Sequence, residues 1–204
     1  MKIWVWTALA ATLVAACGEE ANGSAQDERE SDRTETMPMS EDAAPQPMSS
    51  PQAQAYTEVR AEADFIGTDG EVIGTVSASP GPFGMILRLE AEGIAEGWHA
   101  AHLHKVGDCS DPEAGFKASG SHINISDREH GLLNSAGYHT GADFPNLYAS
   151  REGIRGELFA GGLMLDQAND EDGFALILHE NEDDHRTQPI GGAGGRIACA
   201  AFSN

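Results

Sequence analysis

The sequence predicts an all-β fold, an antiparallel sandwich or flattened barrel of seven or eight strands. Val59, Ala61, Ala63 and Phe65 alternate with charged residues, which is the period of a strand with one face on a core. The 24 glycines and 9 prolines separate short segments instead of long helical runs. At 204 residues the chain has the length of one ordinary domain and a tail, so we expect a single core.

The first sixteen residues, 1–16, have the pattern of an export signal. The uncharged segment 3–16 is shorter than the roughly 20 residues that a transmembrane helix needs. Residues 13–17 (LVAAC) resemble the lipobox of bacterial lipoproteins, which implies that Cys17 is lipidated and anchors the chain to a membrane. Gly18 after this cysteine favours the outer membrane. The alternative is an ordinary signal peptide with an incidental thiol at Cys17.

An acidic tether, residues 17–55, follows the signal. It is rich in Glu, Asp, Ser, Gln, Pro and Ala and lacks aromatic residues, so it cannot bury a core. Met37, Met39 and Met48 are open to two interpretations: a tract that acquires Cu(I) through its thioethers, or oxidisable residues in a disordered linker. The folded domain is therefore predicted to span residues 56–204.

Further strands are predicted after the first, each bounded by Gly, Pro or Asp-Gly. Two long stretches, 107–148 and 180–196, lack alternation and are rich in Gly, His, Asp and Asn. Loops of this length inside a compact domain usually carry function. The strand order does not follow from this pattern. The predicted strands after the first are 72–78, 85–91, 99–106, 154–158, 162–165 and 174–178.

The charge of the chain argues against one class of partner. With 12 Lys and Arg against 33 Asp and Glu, the formal net charge is −21. Nucleic acid and anionic lipid surfaces would repel such a protein, so neither is expected as its main partner.

Two cysteines, Cys109 and Cys199, remain once Cys17 is assigned to the lipid. An exported chain enters an oxidising compartment, where two such thiols are expected to pair. The chain-entropy model gives a bridge that closes so long a loop about 4–5 kcal/mol of stabilisation.

Histidines give the clearest chemical signal. His102 and His104 are two residues apart in a predicted strand, so both imidazoles point to one face and can bind a single ion. Three more histidines follow within the loop 107–148, and His179 ends the strand 174–178. The pattern indicates a metal site.

The local order of these residues identifies a family. Residues 97–109 (GWHAAHLHKVGDC) resemble the hallmark strand of the Cu/Zn superoxide dismutases, with paired copper histidines before a Gly-Asp-Cys turn. The resemblance covers essentially residues 56–204 and implies a Greek-key antiparallel β-barrel with long metal-binding and electrostatic loops. It continues in order through 120–122 (GSH), 130–131 (HG), His139, 143–147 (DFPNL), 179–184 (HENEDD) and 191–199 (GGAGGRIAC).

Carried over position by position, the resemblance implies a copper ion and a zinc ion. An all-imidazole set suits Cu(II), whereas three imidazoles and a carboxylate in a tetrahedron suit a structural zinc ion. His122 would bridge the two metals and deliver a proton while copper alternates between Cu(II) and Cu(I). The implied copper ligands are His102, His104, His122 and His179, and the implied zinc ligands are His122, His130, His139 and Asp143.

We also expect specific roles or environments for four further residues. Asp183 matches the carboxylate that accepts hydrogen bonds from one copper ligand and one zinc ligand and so fixes their orientation. Arg196 matches the arginine that binds and guides the superoxide anion. His99 matches a structural histidine of the barrel, and His185 is expected to be a solvated loop residue.

The sequence departs from the family pattern at three places. Ala142 adds one residue between His139 and Asp143, so the zinc loop must bulge or the ligand geometry must shift. Ile125 stands where many members have proline, and Ala200 replaces a glycine after the second cysteine.

The resemblance therefore implies a lipid-anchored superoxide dismutase of the bacterial cell envelope, which faces the periplasm or the cell surface and converts superoxide to dioxygen and hydrogen peroxide. One alternative is a superoxide dismutase-like protein that stores or delivers copper or zinc without turnover. Another is an adhesive or structural sandwich, which would leave the histidines unexplained. The oligomeric state, monomer or homodimer, does not follow from the sequence.

Overall fold

A computed structural model of the chain describes residues 61–203. The predicted signal (1–16), Cys17, the tether (17–55) and the first residues of the predicted domain lie outside this range. Within residues 61–203, the structure contains no helix with the length and apolarity of a membrane span.

The described chain is almost entirely β, which confirms the predicted fold class. Two short 3-10 helices, Pro112–Ala114 and Lys117–Ser119, and a one-turn α-helix, α1 (Leu165–Ala168), lie in the connections. The nine strands in the described range are β1 (Ala61–Gly67), β2 (Val72–Gly81), β3 (Gly84–Ala91), β4 (Gly97–His99), β5 (Ala101–His104), β6 (Leu147–Ala149), β7 (Ile154–Gly161), β8 (Phe174–His179) and β9 (Arg196–Phe202).

Seven strands form one antiparallel sheet in the order β5-β8-β9-β1-β2-β3-β7, and β4 pairs with β6 in a second, two-stranded sheet. From β3 the chain crosses to β5 at the far end of the large sheet. It returns to β7 beside β3 and then crosses again to β8 beside β5. These crossings between antiparallel strands agree with the expected Greek-key connections.

Two of the predicted segments are wrong in detail. The single strand expected over 99–106 is divided at Ala100, because the chain changes partner there: β4 pairs with β6, whereas β5 pairs with β8. The strand expected over 162–165 does not form. Gly162 instead has a φ of +80°, and the Gln167 side chain accepts a hydrogen bond from the Met164 amide to begin α1.

Two strands were not predicted. β9 lies between β8 and β1 in the sheet, and its sequence IACAAF is a continuous apolar run without the alternation that marks a half-exposed strand. β6 has only three residues and lies at the end of the stretch 107–148 that was expected to be loop.

The main core lies on the inner face of the curled large sheet. β3 shows the expected alternation, with Leu87 and Leu89 buried between exposed neighbours. Phe144, from the loop before β6, also packs into this core. The fully buried large side chains of the core include Phe65, Met85, Leu103, Ile154, Leu163 and Phe174.

A second, smaller cluster covers the opposite face of β8. Ala175 and Ile177 of β8 pack there with Phe116 and Cys199, and Cys109 lies against them. A disulfide joins Cys109 to Cys199 over a sequence separation of 90 residues. β8 is therefore buried on both faces, which explains why all six of its residues are buried. The disulfide holds the start of the loop after β5 against the sheet.

Candidate metal centre

The candidate site lies on the side of β5 that faces away from the main core. Ala101 and Leu103 point into that core, so the alternation of the strand turns His102 and His104 to the other side. The backbone of His104 pairs with that of His122 in an isolated antiparallel β-bridge, and His102 pairs with Asp143 in the same way. These two contacts bring the long loop after β5 onto the histidines. All four side chains are at least 90% buried.

Four donor atoms of the implied zinc set converge on one point. Asp143 Oδ1 lies 3.0 Å from His130 Nδ1, 3.4 Å from His122 Nδ1 and 3.2 Å from His139 Nδ1. His122 Nδ1 and His139 Nδ1 are 3.2 Å apart. A tetrahedral zinc ion with bonds of about 2.0–2.1 Å places its donor atoms about 3.3 Å from one another. The three imidazoles and one carboxylate therefore fit a closed zinc site.

The extra residue before Asp143 is accommodated without moving the carboxylate out of this set. Ala142 is fully buried and belongs to the main core, and its carbonyl accepts a hydrogen bond from the Leu103 amide. Asp143 Oδ2 accepts hydrogen bonds from the amides of Gly131 (2.9 Å) and His139 (3.0 Å). Because the backbone holds Oδ2, Oδ1 is left to face the three imidazoles.

Four ring nitrogens on the other side of His122 lack a hydrogen-bond partner although they are buried. Buried polar atoms in proteins are almost always paired, so a group of orphaned nitrogens indicates a missing ligand. Neutral imidazole nitrogens in an all-nitrogen set suit Cu(II). The four atoms are His102 Nδ1, His104 Nε2, His122 Nε2 and His179 Nε2.

The opposite nitrogen of each of these rings has a fixed role. His104 Nδ1 donates to the Gly120 carbonyl (2.9 Å), and His179 Nδ1 is directed at the Gly194 carbonyl (3.4 Å). His122 is the exception, because its Nδ1 lies in the zinc set. His122 is thus the one ring among the described residues that offers a nitrogen to both sets.

His102 lies near both donor sets. Its ring is within metal-binding distance of His130 and Asp143 as well as of His122, whose ring centroid is 4.2 Å away. His102 Nε2, however, donates to Asp183 Oδ2 (2.9 Å). Only Nδ1 is left free to bind a metal, and this atom is one of the four orphaned nitrogens.

Asp183 joins the two sets from outside. It accepts hydrogen bonds from His102 Nε2 at Oδ2 and from His130 Nε2 (3.1 Å) at Oδ1. Asp183 is 98% buried, which alone would raise the pKa of its carboxyl group, but these hydrogen bonds hold that pKa well below its usual range. Asp183 thereby fixes the tautomer and ring orientation of one histidine in each set.

The electrostatics of the cluster favour metal binding at neutral pH. Burial lowers the pKa of His122 to about 4 and that of His179 to about 3, and it also lowers the pKa of His102 and His104. These rings are therefore neutral and able to bind a metal.

His130 differs from the other rings. Burial lowers its pKa, but hydrogen bonds to Asp143 and Asp183 outweigh burial and raise it to about 9. A zinc ion must therefore displace a proton at this ring.

Arg196 begins β9 beside the copper set, and its backbone pairs with His179 of β8. Its guanidinium donates to the carbonyls of Phe116 (2.6 Å) and Gly120 (2.8 Å) and to Ser119 Oγ (3.0 Å). The positive charge lowers the pKa of His104 and of His179. All three hydrogen-bond acceptors are neutral, so none of them neutralises the guanidinium, although the nearby Asp111 carboxylate stabilises its charged form.

The two histidines outside the ligand sets lie in different environments. Both ring nitrogens of His99 are within 2.8 Å of backbone carbonyls, those of His179 and Ala95, in keeping with a structural histidine. His185 was expected to be solvated, but its side chain is only 16% exposed and its Nδ1 lies 3.5 Å from Asp183 Oδ2.

Three residues near the site were missed by the sequence analysis. Gly191 has a φ of +62°, and a Cβ at this position would overlap the Asp183 carboxylate. Asn146 and Gln188 make side-chain hydrogen bonds to the backbone of Asp183 and His130. Asn146 and Gly191 lie in segments that carried the family resemblance, but no chemical signal marked them or Gln188.

Comparisons with known proteins agree with this geometry. Residues 70–202 match the family model described as copper/zinc superoxide dismutase (SODC). A superoxide dismutase [Cu-Zn] of Caulobacter vibrioides is 41% identical over 142 residues, which cover 66% of this chain and 80% of the relative. Superoxide dismutase [Cu-Zn] 2 of Aquifex aeolicus is 36% identical over 152 residues, which cover 71% of this chain and 87% of that protein.

A solved structure also resembles the described fold. It is a double mutant of a superoxide dismutase-like protein from Bacillus subtilis, with a TM-score of 0.66 and 30% sequence identity. The match covers 70% of this chain and 97% of that chain.

The position of Gly191 predicts a local effect on the metals. Gly191→Ala places a methyl group against the Asp183 carboxylate and should displace it from His102 and His130. We expect zinc affinity, measured by competition with a chelator, to fall by about 10- to 100-fold.

Gly192→Ala is the matched control for this prediction. Gly192 also has a positive φ (+72°), but its Cβ would meet nothing within 4 Å. Both variants carry the same backbone strain, so equal zinc affinities in the two would contradict the role assigned to Asp183.

Proposed function

Because this chain belongs to the copper/zinc superoxide dismutase family and is an oxidoreductase that acts on superoxide with copper and zinc, we propose which of its residues carry the reaction. His102, His104, His122 and His179 bind the copper ion. The zinc ligands are His122, His130, His139 and Asp143. The observation that carries this assignment is the set of four orphaned imidazole nitrogens beside a tetrahedral set that shares His122.

A copper ion bound by these residues would supply the electron exchange by alternating between Cu(II) and Cu(I), taking an electron from one superoxide and giving it to the next. His122 Nε2 is buried without a protein partner, so when it is not bound to copper it would carry one of the two protons that hydrogen peroxide needs, and solvent would supply the other. His122 Nδ1 stays in the zinc set, which keeps the ring in place during this transfer.

Arg196 binds and guides the substrate anion. The chain as a whole carries a net charge of −21, so superoxide needs a local positive field to approach. The guanidinium is held rigidly by three neutral acceptors beside the copper set. It is therefore placed both to attract the anion and to orient it.

The test of the assignment is superoxide decay catalysed by the purified chain. With copper and zinc both loaded we expect rapid decay, and with zinc alone we expect none, because only copper can exchange electrons. A protein that binds one copper and one zinc and yet leaves superoxide to decay at the background rate would instead support a metal-storage function.

Replacing Arg196 should slow the reaction without releasing the metals. For Arg196→Ala we expect kcat/KM at low ionic strength to fall by about 10-fold or more, with both metals retained by elemental analysis. Arg196→Lys keeps the charge but not the three hydrogen bonds, so it should retain more activity than the alanine variant. Equal rates for wild type and Arg196→Ala would remove the residue from the mechanism.

We further propose that the enzyme is a lipoprotein of the cell envelope, anchored through Cys17 and separated from the membrane by residues 17–55. The support is the lipobox-like segment at 13–17 and the pairing of the other two cysteines, which an oxidising compartment permits. The folded domain would then protect the periplasm or the cell surface from superoxide.

The anchor is tested by Cys17→Ser. The wild-type protein should be found in the membrane fraction and be released from it by detergent. The variant should instead be a soluble protein or a retained precursor. Cys109→Ser, which removes a different cysteine, is the control and should remain in the membrane fraction. Unchanged fractionation of Cys17→Ser would refute lipid anchoring at this residue.

A further inference from the structure

Two loops close over the metal centre, and their backbones approach closely. We call residues 120–146 the zinc-ligand loop and residues 180–195 the cover loop. Gly131 of the zinc-ligand loop has a φ of +112°, and a Cβ there would overlap the His185 carbonyl of the cover loop. That carbonyl also accepts a hydrogen bond from the Leu133 amide (3.0 Å).

The cover loop holds one zinc ligand by its backbone. Gln188 Oε1 accepts a hydrogen bond from the His130 amide (3.0 Å), and Gln188 Nε2 donates to the His130 carbonyl (2.8 Å). One carboxamide thus binds both main-chain groups of the same residue. We call such a pair of hydrogen bonds, from one carboxamide to the N–H and C=O of one residue, a bracket. This bracket fixes the position of His130 in the zinc-ligand loop.

The zinc-ligand loop holds the cover loop in the same way. Asn146 Oδ1 accepts a hydrogen bond from the Asp183 amide (2.8 Å), and Asn146 Nδ2 donates to the Asp183 carbonyl (2.9 Å). Asn146 follows the zinc ligand Asp143 by three residues. The second bracket therefore fixes Asp183 relative to the segment that carries a zinc ligand.

The two brackets form a closed connection. Each carboxamide belongs to one loop and holds the backbone of the other. The two residues that they hold, His130 and Asp183, are themselves joined by the hydrogen bond from His130 Nε2 to the Asp183 carboxylate. Asp183 also accepts from the copper ligand His102.

We propose that Asn146 and Gln188 are positioning residues that transmit the geometry of the zinc site to the copper ligand His102. The inference rests on the ligand assignment proposed above. The brackets hold His130 and Asp183 at a fixed separation, and the Asp183 carboxylate then sets the orientation of the His102 ring. A loop displaced by loss of either bracket moves Asp183 and changes the copper environment even when zinc is bound.

A carboxamide suits such a bracket because it carries a donor and an acceptor on two separate atoms. A carboxylate of the same shape keeps the hydrogen bond from the amide but cannot donate to the carbonyl. Asn146→Asp and Gln188→Glu therefore remove half of each bracket with little change in volume. Asn146→Ala and Gln188→Ala remove all of it.

The chain provides a matched control in Asn124. Its carboxamide makes the same bracket, accepting from the Arg128 amide (3.1 Å) and donating to the Arg128 carbonyl (2.8 Å). Both residues lie in the zinc-ligand loop, so this bracket does not connect the two loops. Asn124→Ala removes an equivalent pair of hydrogen bonds without the proposed coupling.

The experiment compares the full chain and these variants by two measurements. The first is zinc affinity by chelator competition, and the second is the Cu(II) hyperfine splitting in the electron paramagnetic resonance spectrum at saturating zinc. We expect Asn146→Ala and Gln188→Ala to lower zinc affinity by about 10- to 100-fold and to change the hyperfine splitting. The Asp and Glu variants, which preserve the shape of the side chains but place a carboxylate oxygen against the carbonyl, should also lower zinc affinity and change the splitting, and Asn124→Ala should show neither.

Other outcomes overturn the inference. Wild-type zinc affinity and an unchanged copper spectrum in the Asn146 and Gln188 variants would show that the brackets do not act on the metals. Equal changes of zinc affinity and copper spectrum in Asn124→Ala would show that the brackets only stabilise the loops in general. Failure of the ligand assignment has a different signature, because the wild-type chain would then fail to bind one copper and one zinc.

Discussion

The packing of six imidazoles, five of them buried, around two buried carboxylates is the constraint on which the rest of this structure depends. A polar group removed from water is tolerated only when each of its donor and acceptor atoms finds a partner. The protein supplies partners for one ring nitrogen of His102, His104 and His179 and for the Asp183 carboxylate. The four orphaned nitrogens of the copper set have no protein partner, and a bound metal would satisfy them, so we expect metal binding and the folding of this region to be linked.

Both the sheet and the loops position the side chains of the cluster. The strands provide a rigid platform, because β8 is buried on one face by the main core and on the other by Phe116 and the disulfide. Strands alone, however, supply only His102, His104 and His179. The remaining proposed ligands come from a loop, whose conformation must be fixed by contacts with the sheet and with the second loop. Ala142, buried in the core directly before Asp143, is one such anchor.

The fold could be predicted from the sequence wherever one face of a strand is exposed. Alternation of apolar and polar residues correctly predicted β1, β2, β3 and β7 as strands with one exposed face. β9 is apolar after Arg196 and shows no such alternation, and β6 is too short to show a period. The division at Ala100 depends on which strand lies alongside, and a local pattern does not contain that information. The ligand sets came from the family resemblance. Asn146 and Gln188 were missed because their role arises only when two loops, distant in sequence, meet.

The disulfide connects to the chemistry through a single carbonyl. Cys109 and Cys199 hold the start of the loop after β5 against the sheet, and this first part of the loop leads to Gly120, where the zinc-ligand loop begins. The Gly120 carbonyl accepts hydrogen bonds from both the copper-set ring of His104 and the guanidinium of Arg196. An atom shared in this way fixes the Arg196 charge relative to the His104 ring. The disulfide therefore does more than restrict the unfolded chain, since the position of its loop also sets the distance between the Arg196 guanidinium and the His104 ring.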